Sequence, residues 1–386
     1  MTAQAVTHDQ LFDAGAGSLR DSIDLKKAGL VGLLAAAVIA ALVTALPGAY
    51  GAVSEGVAKL PHADVRWLLV ALGLEALSFL GHIVLFRAVF LDRSSRIDYG
   101  ASYDVTMAGH AATRLLGAAG AGGIALTVWA LNRSGMSTRT VATRMLGFMV
   151  LLYSFYALAV ATVGIGVWSG VLPGGGSVAL TLVPGVVALV LVGGAIGAAT
   201  LARRRFAVVV ADESATGWRA RIARASVGIG DGVREAGAVV RRRDPRLIGG
   251  LMWWAFDIAV LWASFRAFGQ APPVAVLVLA YFLGLVGNAL PFLGSVGGVD
   301  GGMIAALVAF GANPAASLVA VIVYRLFSCW IPTIPGAVAF ARLRRRVAAW
   351  QREDSGEAPA PVPDELAAAR ERRTAAPAFA AEPVAA

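Results

Sequence analysis

Six long apolar runs constrain this chain more than any motif. They fall at about 28–46, 67–91, 145–170, 177–202, 247–268 and 315–340, and roughly 20 apolar residues suffice to cross a bilayer as a helix. In hydrocarbon every backbone N–H and C=O must be paired within the protein, which leaves helices as the simplest solution for runs of this length. The composition agrees: 58% of residues are apolar and only 15% charged, outside the range of soluble domains. The chain reads as an all-α polytopic membrane protein.

Charge placement sets its sidedness. The net charge is +9, and short basic loops stay on the cytoplasmic side. Lys26 and Lys27, Arg93 and Arg96, Arg133 and Arg139, the 203–246 segment and "ARLRRR" at 341–346 all fall in alternate connections. The opposite loops "VLPGGGS", "FGQAPP" and "FGANPA" contain no Lys or Arg, and the 47–65 loop has only Lys59. Both termini are therefore expected in the cytoplasm. Arginines threaded between apolar runs do not make a nucleic-acid surface. The first 27 residues carry Asp9, Asp13, Asp21 and Asp24, unlike the basic start of a signal peptide, so the run at 28–46 reads as a retained span. A single cysteine, Cys329, allows no intrachain disulfide.

Two further apolar regions, 101–132 and 273–311, are each split by glycines. In the first, each piece has about 15 residues, or roughly 23 Å of helix, short for a core of about 30 Å. The charge map wants both ends of the first region inside and both ends of the second outside; re-entrant hairpins satisfy this, and two full spans per region would keep the same parity. The tips are placed at Gly120, Gly122 and Gly123, and at Gly297, Gly298, Gly301 and Gly302, with His110 and Asn288 beside them.

The two regions also resemble each other. Gly109-His110 matches Gly287-Asn288, Gly122-Gly123 matches Gly301-Gly302, and "ATRMLGF" with Arg144 matches "VYRLFSC" with Arg325. Each unit reads span, hairpin, span, at about 67–170 and 247–340, and sidedness makes the copies inverted. Six full spans and two hairpins in an inverted repeat form a transporter architecture, with binding near the midplane.

Charges inside spans are costly and tend to face a functional interior. The candidates for headgroup binding or proton coupling are Glu75, Arg114, Asp257, Asp300 and Arg325. Glu75 and Asp257 occupy the paired first spans of the two units at similar depth. Asp300 and Arg325 have the opposite charges of a buried pair, whether that pair holds the fold or meets a ligand. Arg87, Arg144 and Arg266 lie near span ends, where long side chains reach the headgroups.

Enzyme signatures are missing. His8, His62, His82 and His110 show no metal-ligand spacing, and "GAAGAGG" lacks the strand and helix of a dinucleotide loop. The chain is expected to be no enzyme and to need no cofactor or metal. The 203–246 loop holds Trp218, Ile222, Ala225 and Ile229 at helical spacing between arginines. It reads equally as a helix on an anionic leaflet or as a basic connector. Residues 347–386 are read as a disordered cytoplasmic tail, leaving 28–346 as the membrane domain and 1–27 as a cytoplasmic lead.

The run "LPFLGSVGGVDGGMIAALVAFGANPAASLVAVIVYRLFSCWIPTIPG" resembles the C-terminal signature of the lysylphosphatidylglycerol synthase transmembrane (flippase-like) family. The matching positions are Pro291, Gly297, Gly298, Asp300, Gly311, Arg325, Trp330, Pro332 and Gly336. Asp300 stands where the family usually has Glu. The resemblance implies a multi-pass protein of the bacterial plasma membrane that moves a phospholipid or polyprenyl-linked lipid between leaflets. Anionic or glycosylated lipids, and a separate cell-envelope enzyme, are the implied partners. A membrane scaffold for such an enzyme and a proton-coupled carrier of a small solute are the alternatives.

Overall fold

The computed structural model describes residues 54–55, 58, 60–91, 95–116, 121–211, 217–269, 271–286 and 298–355. These residues are helical apart from short connections, with no strand among them. In chain order the helices are α1 (Val65–Phe90), α2 (Tyr99–Leu116), α3 (Ala121–Arg133), α4 (Thr138–Trp168), α5 (Val178–Ala211) and α6 (Trp218–Arg241). Then follow α7 (Ile248–Arg266), α8 (Val274–Val286), α9 (Gly298–Ala309), α10 (Pro314–Arg325), a π-helical turn (Leu326–Trp330) and α11 (Ile331–Ser355).

Among the described residues five helical stretches are long and apolar enough to cross a membrane: Val65–Phe90, Thr138–Trp168, Val178–Leu201, Pro245–Arg266 and Pro314–Ser355. They overlap five of the six expected spans. The sixth, 28–46, lies outside the described residues. The two glycine-broken regions are helix pairs, α2 with α3 and α8 with α9, and the members of each pair pack on each other. At 18, 13, 13 and 12 residues, these four helices are roughly 18 to 27 Å long, each shorter than a bilayer core of about 30 Å.

Local signals set the helix starts. Asp64 caps α1 by accepting the Arg66 N–H at 2.9 Å, and Asn313 caps α10 by accepting that of Ala316 at 2.9 Å. Pro314 follows in the first turn, where its missing N–H costs nothing. Before it, Gly311 takes φ 89°, a left-handed turn that favours glycine.

The order long helix, broken pair, long helix occurs twice: α1, α2–α3, α4, and then α7, α8–α9, α10–α11. The first helices of the two units, α1 and α7, form the most extensive helix contact. They run antiparallel: the Asp64 N–H at the start of α1 bonds to Ala267 O at the end of α7, at 2.9 Å. Farther along, Gly81 meets Gly249; a Cβ at Gly81 would lie 2.7 Å from Trp253 N and 2.8 Å from Gly249 O. Each unit's last long helix packs on the other unit's broken pair, α11 on α2 and α4 on α8. Gly336 permits the first of these, since a Cβ there would come within 2.7 Å of Met107 O.

Several expectations need correction. The tail does not begin at 347: α11 runs to Ser355, with Val347 and Trp350 buried in an apolar cluster that includes Leu85, Phe90 and Leu343. Trp350 is large and apolar enough to extend the packed face past the basic run. The 203–246 segment is more than a connector, because α5 continues to Ala211 and α6 packs on α4 and α5. Its packed face is built of small residues, Gly232, Ala236 and Val239. Trp218, Ala225 and Ile229 of the expected apolar stripe are exposed, while the side chain of Ile222 lies outside the described set.

Hairpin-tip residues Gly120, Gly297 and Asn288 lie outside the described residues as well. Gly122 and Gly123 lie in the first turn of α3, and Gly298, Gly301 and Gly302 in the first turns of α9. Gly123 abuts Gly109, and Gly302 abuts Gly284. Gly284 stands three residues before the Gly287 that the sequence match pairs with Gly109, and Gly287 lies outside the described residues.

Candidate functional site

Glu75 sits near the middle of α1 and Asp257 near the middle of α7. The antiparallel crossing of these helices brings both onto one cavity of about 170 Å³. Broken helix α2 adds His110 and Arg114, α8 adds Tyr281, α10 adds Tyr324 and Arg325, and the π-turn adds Ser328. Four of the five charged candidates thus line one space. The fifth, Asp300 in the first turn of α9, is ion-paired with Arg325 Nε. The site lies at a seam between two apolar clusters, one containing Ala71, Leu261 and Phe282, the other Leu85, Phe148 and Leu343.

Asp257 is buried and accepts hydrogen bonds on Oδ2 from the hydroxyls of Tyr281 and, at 3.0 Å, Tyr324. Glu75 is buried too, yet its Oε2 has no hydrogen-bond partner. Further buried polar atoms without a partner belong to lining residues: Arg114 Nε, Arg325 Nη2, Trp254 Nε1, His110 Nε2 and Ser328 Oγ. Buried polar groups are normally paired, and orphans cost about 1–3 kcal/mol each. A cluster of them around one cavity marks a place built to meet something polar.

Aromatic packing holds the walls. His82 stacks on Trp253 with ring centroids 4.0 Å apart, and Trp254 packs edge-on against Tyr281 at 5.9 Å. The π-turn begins directly after Arg325, and the Ile331 N–H reaches back to Leu326 O. Such bulges interrupt the regular ladder and recur at functional sites.

A family model described as the lysylphosphatidylglycerol synthase TM region matches residues 29–336. The chain belongs to this family. A UPF0104 membrane protein of Methanothermobacter thermautotrophicus is 32% identical over 87 residues, or 22% of this chain. That match spans 25% of the relative, so the chain covers about a quarter of its length. Of the positions that carried the resemblance, Arg325 lines the cavity and Asp300, in α9, is paired with it.

Other charged residues are not brought to it. Arg144, matched to Arg325 in the sequence, donates to Phe90 O at the end of α1. Arg87 donates to Ser102 Oγ at 2.7 Å and lies over the Tyr99 ring at 3.7 Å. Arg266 lies over the Trp67 and Trp262 rings.

Sequence reasoning passed over Tyr281, Tyr324, Trp254 and Ser328, because uncharged residues in apolar helices read as packing. Trp253 and Trp254 stand four and three residues before Asp257, a spacing that shares one helix face, and this was the available signal. It also passed over Asp104. That residue is buried and accepts from Arg342 at 2.7 and 2.9 Å and from Arg346 at 3.0 Å, tying α2 to α11. Outside the spans, Asp244 is held below the usual carboxylate range, chiefly by side-chain hydrogen bonds from Arg246.

Proposed function

We propose that this protein is a lipid flippase-like transporter that carries a phospholipid or polyprenyl-linked headgroup between leaflets, acting as a carrier and not as an enzyme. One observation carries the reading: charged residues from both structural units, unable to satisfy all their polar atoms among themselves, converge on one cavity between broken helices. Unpaired backbone at membrane depth is tolerated only where protein or a polar cavity covers it. Charges placed there belong to a pathway more often than to packing.

The α2–α3 and α8–α9 pairs act as re-entrant hairpins, entered from the cytoplasmic and outer sides respectively. Their described helices, at 18, 13, 13 and 12 residues, are short for a full span, and the basic loops favour this orientation. Arg114 and Arg325 offer charge-assisted hydrogen bonds to an anionic headgroup. Glu75, Asp257 and Asp300 balance them or take a cationic moiety. The cavity has room for the volume of about six waters, enough for a phosphate and its nearest atoms, so the acyl tails stay in lipid while the headgroup passes. A plasma-membrane setting beside an enzyme that makes or uses the lipid fits this role.

The test is leaflet exchange of fluorescent phospholipids and polyprenyl lipids in liposomes holding the purified protein. Exchange faster than in protein-free liposomes for at least one lipid is the expected outcome. Rates equal to the protein-free control for every lipid would leave the scaffold reading in its place.

A further inference from the structure

The charges at the cavity do not balance for an anionic cargo. Three carboxylates, Glu75, Asp257 and Asp300, stand against two guanidiniums, Arg114 and Arg325. Fully ionised, the group is already negative before any ligand arrives, and one phosphodiester doubles the excess. In a partly desolvated site such an excess is strongly opposed. Yet the unpartnered atoms around the space include N–H groups of Arg114, Arg325 and Trp254, donors of the kind an oxyanion requires.

The carboxylates differ in how they are held. Asp257 has two tyrosine hydroxyls donating to it, and Asp300 has Arg325. Glu75 Oε2 has no donor. The charged and titratable groups bordering the cavity with it are Asp257 on α7, His110 and Arg114 on α2, Tyr281 on α8, Tyr324 and Arg325 on α10, and His82 on its own helix. A proton on Glu75 removes one negative charge and turns Oε2 into a further donor.

We propose that the cavity binds a phosphate oxyanion together with one proton, carried by Glu75, so that cargo and proton move as a pair. This rests on the headgroup reading for its cargo, but the oxyanion could equally come from a free phosphate, and the chemistry is the same. The proton enters from solvent with the anion and leaves with it, so charge balance is kept in each direction of transport.

The experiment is calorimetric titration of the full-length protein, in detergent without added phospholipid, with dimethyl phosphate, a phosphodiester that does not titrate near neutral pH. Saturable binding is expected, level while Glu75 holds its proton in the free protein and weakening about tenfold per pH unit once pH rises past the range where it loses it, since one proton is bound per anion. In that upper range, buffers of different ionisation heat should report about one proton taken up by the wild type. Glu75→Gln should bind with little pH dependence, and Arg114→Gln or Arg325→Gln should weaken binding about tenfold or more. If Glu75→Gln fails to fold, the proton count on the wild type decides. Wild-type binding without proton uptake, or uptake that persists in Glu75→Gln, overturns the pairing. Absence of saturable binding for both dimethyl phosphate and inorganic phosphate overturns the oxyanion site. Binding of inorganic phosphate alone supports the site and refutes the lipid headgroup as its cargo.

Discussion

Replacing Gly249 by alanine tests whether the α1–α7 contact fixes the cavity. A Cβ at Gly249 would lie 2.6 Å from Leu85 N and closer still to Gly81 O, whereas ordinary contact begins at 3.4 Å. Both neighbours are backbone, so neither can rotate away, and the helices must separate by about 1 Å or bend. Overpacking of this kind costs about 1–3 kcal/mol, and the backbone-on-backbone geometry argues for the upper half. Gly81→Ala meets the same opposing helix, with three atoms within 2.8 Å. Once the helices have parted, the second substitution should add less than its own cost. Gly73→Ala on α1 is the control: no atom lies within 4 Å of its Cβ, and alanine's helix preference is worth up to about 1 kcal/mol. Unfolding in mixed detergent–dodecyl sulfate micelles, followed by circular dichroism, reads the wild type and all four variants. A Gly249→Ala protein within about 0.5 kcal/mol of wild type, or a double variant that is fully additive, would refute the close-contact account.

Trp350→Ala should destabilise by roughly 3–5 kcal/mol in the same assay, because a buried aromatic leaves a cavity behind; a neutral result would detach the end of α11 from the domain. Asp104→Asn should cost about 1–2 kcal/mol, discounted because Arg342 and Arg346 are 51% and 39% exposed. Salt titration of the wild type and variant should narrow that gap. Asp244 gives a pH signature: its folded-state pKa is depressed by Arg246, so its contribution is fully present above the ordinary carboxylate pKa and is lost as pH falls through the lower folded value. Unfolding of wild type and Asp244→Asn should therefore differ at pH 7 and begin to converge only as pH falls below about 4.

Much of this fold was legible because membrane spans are written as length and hydropathy, which local sequence carries in full. Val65–Phe90 and Thr138–Trp168 needed only their apolar runs to be found. The broken pairs were legible as glycine clusters between short apolar pieces. Their partners were not, because Gly284 facing Gly302 and Gly336 facing Met107 are matters of register between distant helices. The charged core of the site was readable, since Glu75, Arg114, Asp257 and Arg325 are conspicuous inside apolar spans. The tyrosines donating to Asp257 are not conspicuous there, and the π-turn after Arg325 has no local signature that separates it from α-helix. Trp350 and Asp104 were misjudged for one shared reason: α11 outruns the membrane span, and its polar length packs on α2.

The central claim is that headgroups pass through the cavity built by both structural units. Leaflet exchange in liposomes, measured for wild type, Asp257→Asn and Arg325→Gln at matched, fold-checked protein density, tests it most directly. Losing one charge-assisted contact of about 1.5–3 kcal/mol should slow exchange about tenfold or more, with Gly73→Ala remaining at the wild-type rate. Exchange at the wild-type rate in both cavity variants would contradict the account.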